Sequence, residues 1–216
     1  NMSAINGRTI THIDEDSLTD LKSRIAYAKS FLQFTEEDGA LIQSAKDIVA
    51  PAVPAILEAV YTKLLSYDIT AKSFVPRQPE QAVTEPAEAS ISELSLDHPN
   101  IVHRKDFLKN YLVRLVSNKN WADDSPFWDY LDKVSVIHTG KAGFKHREKR
   151  PKLRVELMHM SLLLGFVEDL MLKTTLAADG LDLRTKTSVL AAFNKLMWIQ
   201  NDLFLRHYVA EKPELD

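Results

Sequence analysis

Pro126-Phe-Trp-Asp-Tyr-Leu-Asp-Lys-Val-Ser-Val-Ile-His138 is the stretch on which the reading of this chain turns. Ser125 ahead of Pro126 is a helix start: a capping hydroxyl, then a proline where no N–H is needed. Phe127, Leu131, Val134 and His138 follow at steps of four, three and four, so they share one helix face. His138 closes that apolar stripe and points into the core, and Thr139-Gly140 ends the helix. A neutral imidazole there offers one nitrogen to an iron while its other N–H bonds a carbonyl one turn back. A haem protein presents its proximal ligand in this way, with one imidazole on an apolar wall. A core histidine satisfied by backbone would show the same spacing, and spacing alone does not choose between them.

On the upstream side, a helix from Ile101 carries Phe107, Leu108, Tyr111, Leu112 and Leu115. Before it, Pro76, Pro79, Pro86 and Pro99 punctuate a polar stretch, residues 76–99, which reads as a loop insertion; a flap over a ligand is the alternative. Pro51 and Pro54 open a helix bearing Ile56, Leu57, Val60, Tyr61 and Leu64. Thr35 followed by Glu36, Glu37 and Asp38 starts another, with acids at the positive helix end. Asp16 or Ser17 caps a first helix with Leu18, Leu21, Ile25 and Phe31 or Leu32 inside it. Residues 1–14 are polar and aperiodic, a flexible tail, as are residues 211–216. One domain therefore spans residues 15–210, and no strand shows convincing alternation.

On the downstream side, a basic loop from Thr139 to Arg150 leads to two long helices, Lys152–Leu176 and Leu183–Ala210. Leu153, Leu157, Met160, Leu164, Val167 and Met171 alternate steps of four and three, and so do Val189, Ala192, Leu196, Ile199 and Leu203. That 3.5-residue period favours lengthwise packing. Leu162, Leu163, Phe166 and Leu170 on one helix, and Phe193, Met197, Trp198 and Phe204 on the other, lie outside the seam. Helices apolar over most of their circumference are buried on two sides, one against the core and one against a second subunit. The expectation is a homodimer; a monomer core is the alternative.

Tyr61 shares a face with Leu57 and Leu64, and its buried hydroxyl needs a partner. A polar gas ligand would serve, and so would a carbonyl. Glu156-x-x-His159 matches half of a di-iron carboxylate pattern, but no second copy exists, so His159 reads as the rim of a helix contact. His146 stands among Lys145, Arg147, Lys149 and Arg150 in a solvated loop whose cations are candidates for haem carboxylates. His12, His98, His103 and His207 occupy polar settings. No Ser/His/Asp set or carboxylate pair emerges, so no catalytic residue is assigned.

Composition narrows the classes. Basic and acidic residues number 27 and 30, too balanced for a dedicated nucleic-acid binder. The absence of cysteine excludes disulfides, thiolate metal sites and cysteine nucleophiles. Six glycines and no phosphate-loop motif speak against nucleotide binding. No apolar run reaches the ~20 residues of a membrane span and no signal peptide is visible, so a cytoplasmic protein is expected.

The strings Phe31-Leu-Gln-Phe-Thr-Glu-Glu-Asp38, Leu57-Glu-Ala-Val-Tyr-Thr-Lys-Leu-Leu65 and Tyr130…Val134-Ser-Val-Ile-His138 resemble, in order and spacing, the protoglobin and globin-coupled-sensor family. The resemblance covers about Asp16 to Val209. It implies an all-α globin fold with an additional N-terminal helix near Ser17–Phe31, and a last pair of helices forming a dimer bundle. It implies haem b as cofactor, His138 as the iron's proximal ligand, Tyr61 as the distal residue, and Leu108, Leu112 and Val134 as haem-facing positions. In archaeal members a tryptophan precedes the distal tyrosine; here it is Val60. With seven residues after Val209, a signal would pass to a separate partner.

Three functions compete. The first is a haem globin that reversibly binds oxygen, carbon monoxide or nitric oxide, as a gas sensor or carrier. The second is a haem-free globin-fold interaction module, since fold does not establish function. The pair His138 and Tyr61 favours the first. The third is a haem enzyme acting on nitric oxide or peroxide, weakened because no reductase domain is attached.

Overall fold

Asp20 starts the first long helix, its carboxylate accepting the Ser23 N–H at 2.9 Å. Side-chain caps of this kind satisfy the donors that a helix start leaves open. The computed structural model describes residues 2–5, 7–75, 91–144 and 153–209. Helix α1 spans Leu21–Leu32, α2 Glu36–Ser44, α3 Lys46–Leu65 and α4 Asp68–Ala71. After residues outside the description come α5 Pro99–Ser117, α6 Pro126–His138, α7 Leu157–Ala177 and α8 Leu183–Val209. Short 3-10 segments lie at Glu15–Thr19 and Lys72–Phe74.

The N-terminal stretch differs from the expected loose tail. Strands β1, Met2–Ile5, and β2, Arg8–Thr11, pair antiparallel, with Met2 opposite Thr11. Gly7 at φ +74° serves the link, a conformation glycine adopts freely. All four residues of β2 are exposed, so no burial pattern could mark the strand in the sequence.

Pro51 and Pro54, read as openers of a helix, lie inside α3, which begins at Lys46. Both prolines are exposed, as are Asp47 and Ala50, so the carbonyls deprived of a donor sit on the wet face. Helix α3 is also long and apolar enough to cross a membrane by length and composition, which the sequence reading did not find. Here its Val49, Val53, Ile56, Leu57 and Val60 are buried, and the helix packs against α5 and α7. The helix expected from Lys152 begins at Leu157, and the basic residues 145–150 lie outside the described residues. Residues 76–90 of the proposed insertion do as well. Its flanks are tied together, because the Asn100 amide donates to the Phe74 carbonyl at 3.1 Å.

Helix α8 is the axis of the packing and touches α1, α2, α6 and α7. Its seam residues Val189, Ala192, Leu196, Ile199 and Leu203 are all buried, and on α7 so are Met160, Val167 and Met171. The 3.5-residue period is therefore used within the chain, and a charge at Leu196 would test folding before assembly. The capping acid of α2 joins this axis: Asp38 accepts the Thr35 N–H at 2.8 Å and pairs with Lys195 of α8 at 2.9 Å. Asp38 is buried, so this pairing offsets the cost of removing its charge from water.

Where α1, α2 and α6 meet, Trp121 stacks edge-on against Phe127 and Trp128, with Phe34 tilted at 5.3 Å. Gly39 of α2 lies under the Trp121 indole so closely that an added Cβ would overlap the ring. Gly39→Ala should therefore destabilise the fold by about 1–3 kcal/mol through overpacking. A denaturant titration reads this as a lower midpoint at unchanged slope. A variant as stable as the parent would show that Trp121 has room to move.

Candidate functional site

Helices α3, α5, α6, α7 and α8 line an open-mouthed cavity of about 1230 Å³. This exceeds the ~300–1,000 Å³ common for small-molecule sites and gives room for a large flat ligand. Val134, Ile137 and His138 of α6 form one wall, continued by Met160, Leu163 and Leu164 of α7. Tyr61 and Leu64 of α3, with Phe107, Leu108 and Tyr111 of α5, form another. Among cations, Arg104, Arg114 and Lys119 line it too, and the Arg114 guanidinium lies 4.2 Å over the Tyr130 ring.

The start of α6 is built as the sequence predicts: the Ser125 hydroxyl accepts the Phe127 N–H at 3.3 Å and Pro126 takes the first turn. The helix runs to His138, which is half-buried at the cavity. His138 Nδ1 lies 2.6 Å from the Val134 carbonyl oxygen. A carbonyl only accepts, so Nδ1 carries the proton and the lone pair of the neutral ring is on Nε2. In that tautomer a neutral imidazole can bind a metal through Nε2. The Phe204 ring stands edge-on to the imidazole at 5.6 Å and 78°. The backbone beside it is held as well, because the Tyr208 hydroxyl donates to the His138 carbonyl at 3.0 Å and the Val155 N–H to the same oxygen at 2.9 Å.

Tyr61 is buried and meets Phe74 edge-on at 5.8 Å. Burial pushes its phenol well above the usual range, against the pull of the nearby Arg104 charge. The hydroxyl therefore keeps its proton at any working pH. It forms no hydrogen bond among the described residues. It is thus a protonated donor in the wall of an apolar cavity.

Of the five residues singled out in the sequence, His138, Tyr61, Leu108 and Val134 line this cavity. Leu112 does not; it is buried in the core at 1 % exposure, and Tyr111 lines the wall one residue earlier. Residues 104, 107, 108 and 111 form the helical stripe that faces the cavity, which leaves position 112 turned inward. His159 is half-buried near the start of α7, and among the described residues no three His, Cys, Asp or Glu side chains cluster for a metal.

Sequence reasoning missed a buried polar chain beneath the cavity. The Tyr111 hydroxyl donates to Gln200 Oε1 at 3.1 Å. Gln200 Nε2 donates to the Ser135 hydroxyl at 3.0 Å and lies 3.3 Å from the Leu131 carbonyl. Gln200 and Ser135 are fully buried. The available signal was a glutamine amid Leu196, Ile199, Leu203 and Phe204, a polar residue on an otherwise apolar face.

The family model for Protoglobin matches residues 21–214. Among solved structures, the globin domain of the Geobacter sulfurreducens globin-coupled sensor aligns with a TM-score of 0.60 and 16 % identity. The alignment covers 85 % of this chain and 96 % of that one, so the fold is shared along almost its whole length. A search of curated protein sequences finds no match. By the extent of the family match, and by an all-α globin fold that carries α1 as an additional N-terminal helix, the chain belongs to the protoglobin family.

Proposed function

We propose that this globin holds haem b in the cavity bounded by α5 and α6, with His138 as the iron's ligand, and reversibly binds a diatomic gas there as a sensor or carrier. The observation that carries the reading is the His138 ring: its Nδ1 is engaged by the Val134 carbonyl at 2.6 Å, and the ring opens on an apolar cavity of about 1230 Å³. Haem would supply an iron able to bind oxygen, carbon monoxide or nitric oxide. The residues here fit such a group. His138 presents a lone pair, Val134, Ile137, Leu108 and Leu164 exclude water from a flat apolar face, and Arg104, Arg114 and Lys119 supply positive charge for its carboxylates. Tyr61 supplies an O–H to a polar ligand.

His138→Ala should strip most of the haem or change its ligand state. Absorption spectra and haem content of the purified variant check this; wild-type values in both would exclude His138 as the ligand.

Tyr61→Phe keeps the ring and removes the donor. Oxygen bound to iron would carry partial negative charge on its outer atom, whereas carbon monoxide would be nearly neutral, so the lost hydrogen bond should matter chiefly for oxygen. Oxygen should leave about 2- to 10-fold faster, with a much smaller change for carbon monoxide. Stopped-flow rates for the two gases read this out, and equal shifts would remove Tyr61 from the site.

The protein is further proposed to dimerise through the outer faces of α7 and α8. On α7, Met158, Leu162, Leu172 and Leu176 are exposed at helical spacing, Leu162 by 65 %. Gly165 stands among them with nothing within 4 Å of the position a Cβ would take. A mid-helix glycine costs about 1 kcal/mol relative to alanine, and among the described residues no contact requires one here. Close approach of a second helix would use it. Trp198 of α8 is 54 % exposed beside this face, where the Ser161 hydroxyl joins Asn201 at 3.0 Å. Light scattering should give twice 24.5 kDa for the parent and the single-chain mass for Leu162→Glu, with helicity unchanged by circular dichroism. A parent that stays monomeric at micromolar concentration would end this part of the reading.

A further inference from the structure

The buried chain Tyr111–Gln200–Ser135 has no role in the gas chemistry just described, and a helix axis does not need it. A leucine at position 200 would pack among Leu196, Ile199 and Leu203 without a polar group to satisfy. Instead a fully buried amide joins three helices. Tyr111 lines the cavity, and its hydroxyl donates to the buried Gln200 Oε1 at 3.1 Å. The Gln200 amide then reaches the Ser135 hydroxyl at 3.0 Å and the Leu131 carbonyl. The Ser135 hydroxyl itself donates to the Leu131 carbonyl at 3.1 Å. Leu131, Val134, Ser135 and His138 occupy consecutive turns of α6, and the Val134 carbonyl is the one that holds His138 Nδ1.

From this geometry we infer that Gln200 is a positioning residue for His138, and that Tyr111–Gln200–Ser135 is a relay by which the α5 wall of the cavity sets the orientation of the last turn of α6 and its contact with α8. An occupant that presses on the Tyr111 ring changes the bond to Gln200. That change is felt at Leu131 and Ser135 of α6 and, through the same side chain, on α8. Low dielectric strengthens such a chain when every member is satisfied, and makes its disruption costly. The relay rests on the proposal that His138 binds haem, but its parts are in place without the haem.

The test uses Tyr111→Phe, Gln200→Leu and their double variant, with Ile199→Val as a control that loosens the same stretch of core without touching the relay. The iron–histidine stretching frequency of the ferrous haem protein, read by resonance Raman, reports the orientation and hydrogen bonding of His138. Both relay variants should shift it in the same direction, the double variant should shift it no further than Gln200→Leu alone, and Ile199→Val should leave it in place. Carbon monoxide dissociation should change about 2- to 10-fold with the loss of one buried hydrogen bond. Amide exchange at residues 135–138, measured on haem-free protein, should be faster in both relay variants than in Ile199→Val. An unshifted frequency, or an equal shift in Ile199→Val, overturns the relay. If wild-type protein takes up no haem, the functional reading fails on its own, and the relay stands or falls on the amide exchange. If Gln200→Leu does not fold, Tyr111→Phe, which keeps every packed ring atom, decides.

Discussion

The contact between α6 and the C-terminal half of α8 is the constraint on which the site depends. From Leu196 to Tyr208, α8 presents to α6 a continuous set of side chains: Gln200 on the Leu131 carbonyl, Phe204 on the His138 ring, Tyr208 on the His138 carbonyl. At its outer edge Asp132 of α6 accepts from His207 at 2.7 Å and from Arg206 at 3.3 Å. An imidazole at a helix end would otherwise sit in the part of the helix most prone to fray. Here α6 is held by the Phe204 ring, by donors to two of its carbonyls and by the partners of Asp132, all of them supplied by α8. The orientation of the His138 ring is thus constrained by the last helix described. The same helix also carries the ion pairs to α1 and α2, through Arg24–Asp202 and Asp38–Lys195.

This explains which parts of the structure could be read in the sequence. The start of α6, the apolar stripe ending in His138, and the acid-capped start of α2 rest on local chemistry within four residues of each other, and local spacing reports them. The family match covers what spacing leaves open, the globin fold and its extra first helix. The misreadings have a common source in tertiary placement. A local reading puts Pro51 and Pro54 in the first turn of a helix; both lie inside α3, tolerated because their helix face is wet. Leu112 looks equivalent to Leu108 on a helical wheel, but the cavity lies on the side of Tyr111, and only packing decides that. The heptad seam on α7 and α8 was legible, whereas its partner was not: a 3.5-residue period is the same whether the facing helix belongs to this chain or to another.

Gln200 is the clearest case of a residue that periodicity hides. A single polar side chain in an apolar helix reads as a tolerated exception. Leaving its amide unpaired would cost about 1–3 kcal/mol, so burial of this group has to be matched by partners on other helices. Tyr111, Ser135 and the Leu131 carbonyl are those partners, and they come from two separate segments of sequence. No pattern within α8 could name them.

The two faces of α7 divide the remaining work. Its inner residues Met160, Leu163, Leu164 and Val167 close the cavity, and its outer residues Met158, Leu162 and Leu172 stay exposed around Gly165. A single helix, about 10 Å across, separates the proposed ligand from the proposed second copy. Tightly packed interiors respond to strain by shifting whole elements, because they have little free volume to absorb it locally. Helix α7 packs along α8 as well as α3. If the proposed occupant shifts α8, α7 shares that shift through its packed seam, and among the described residues the side of α7 left open to take it up is the exposed face around Gly165.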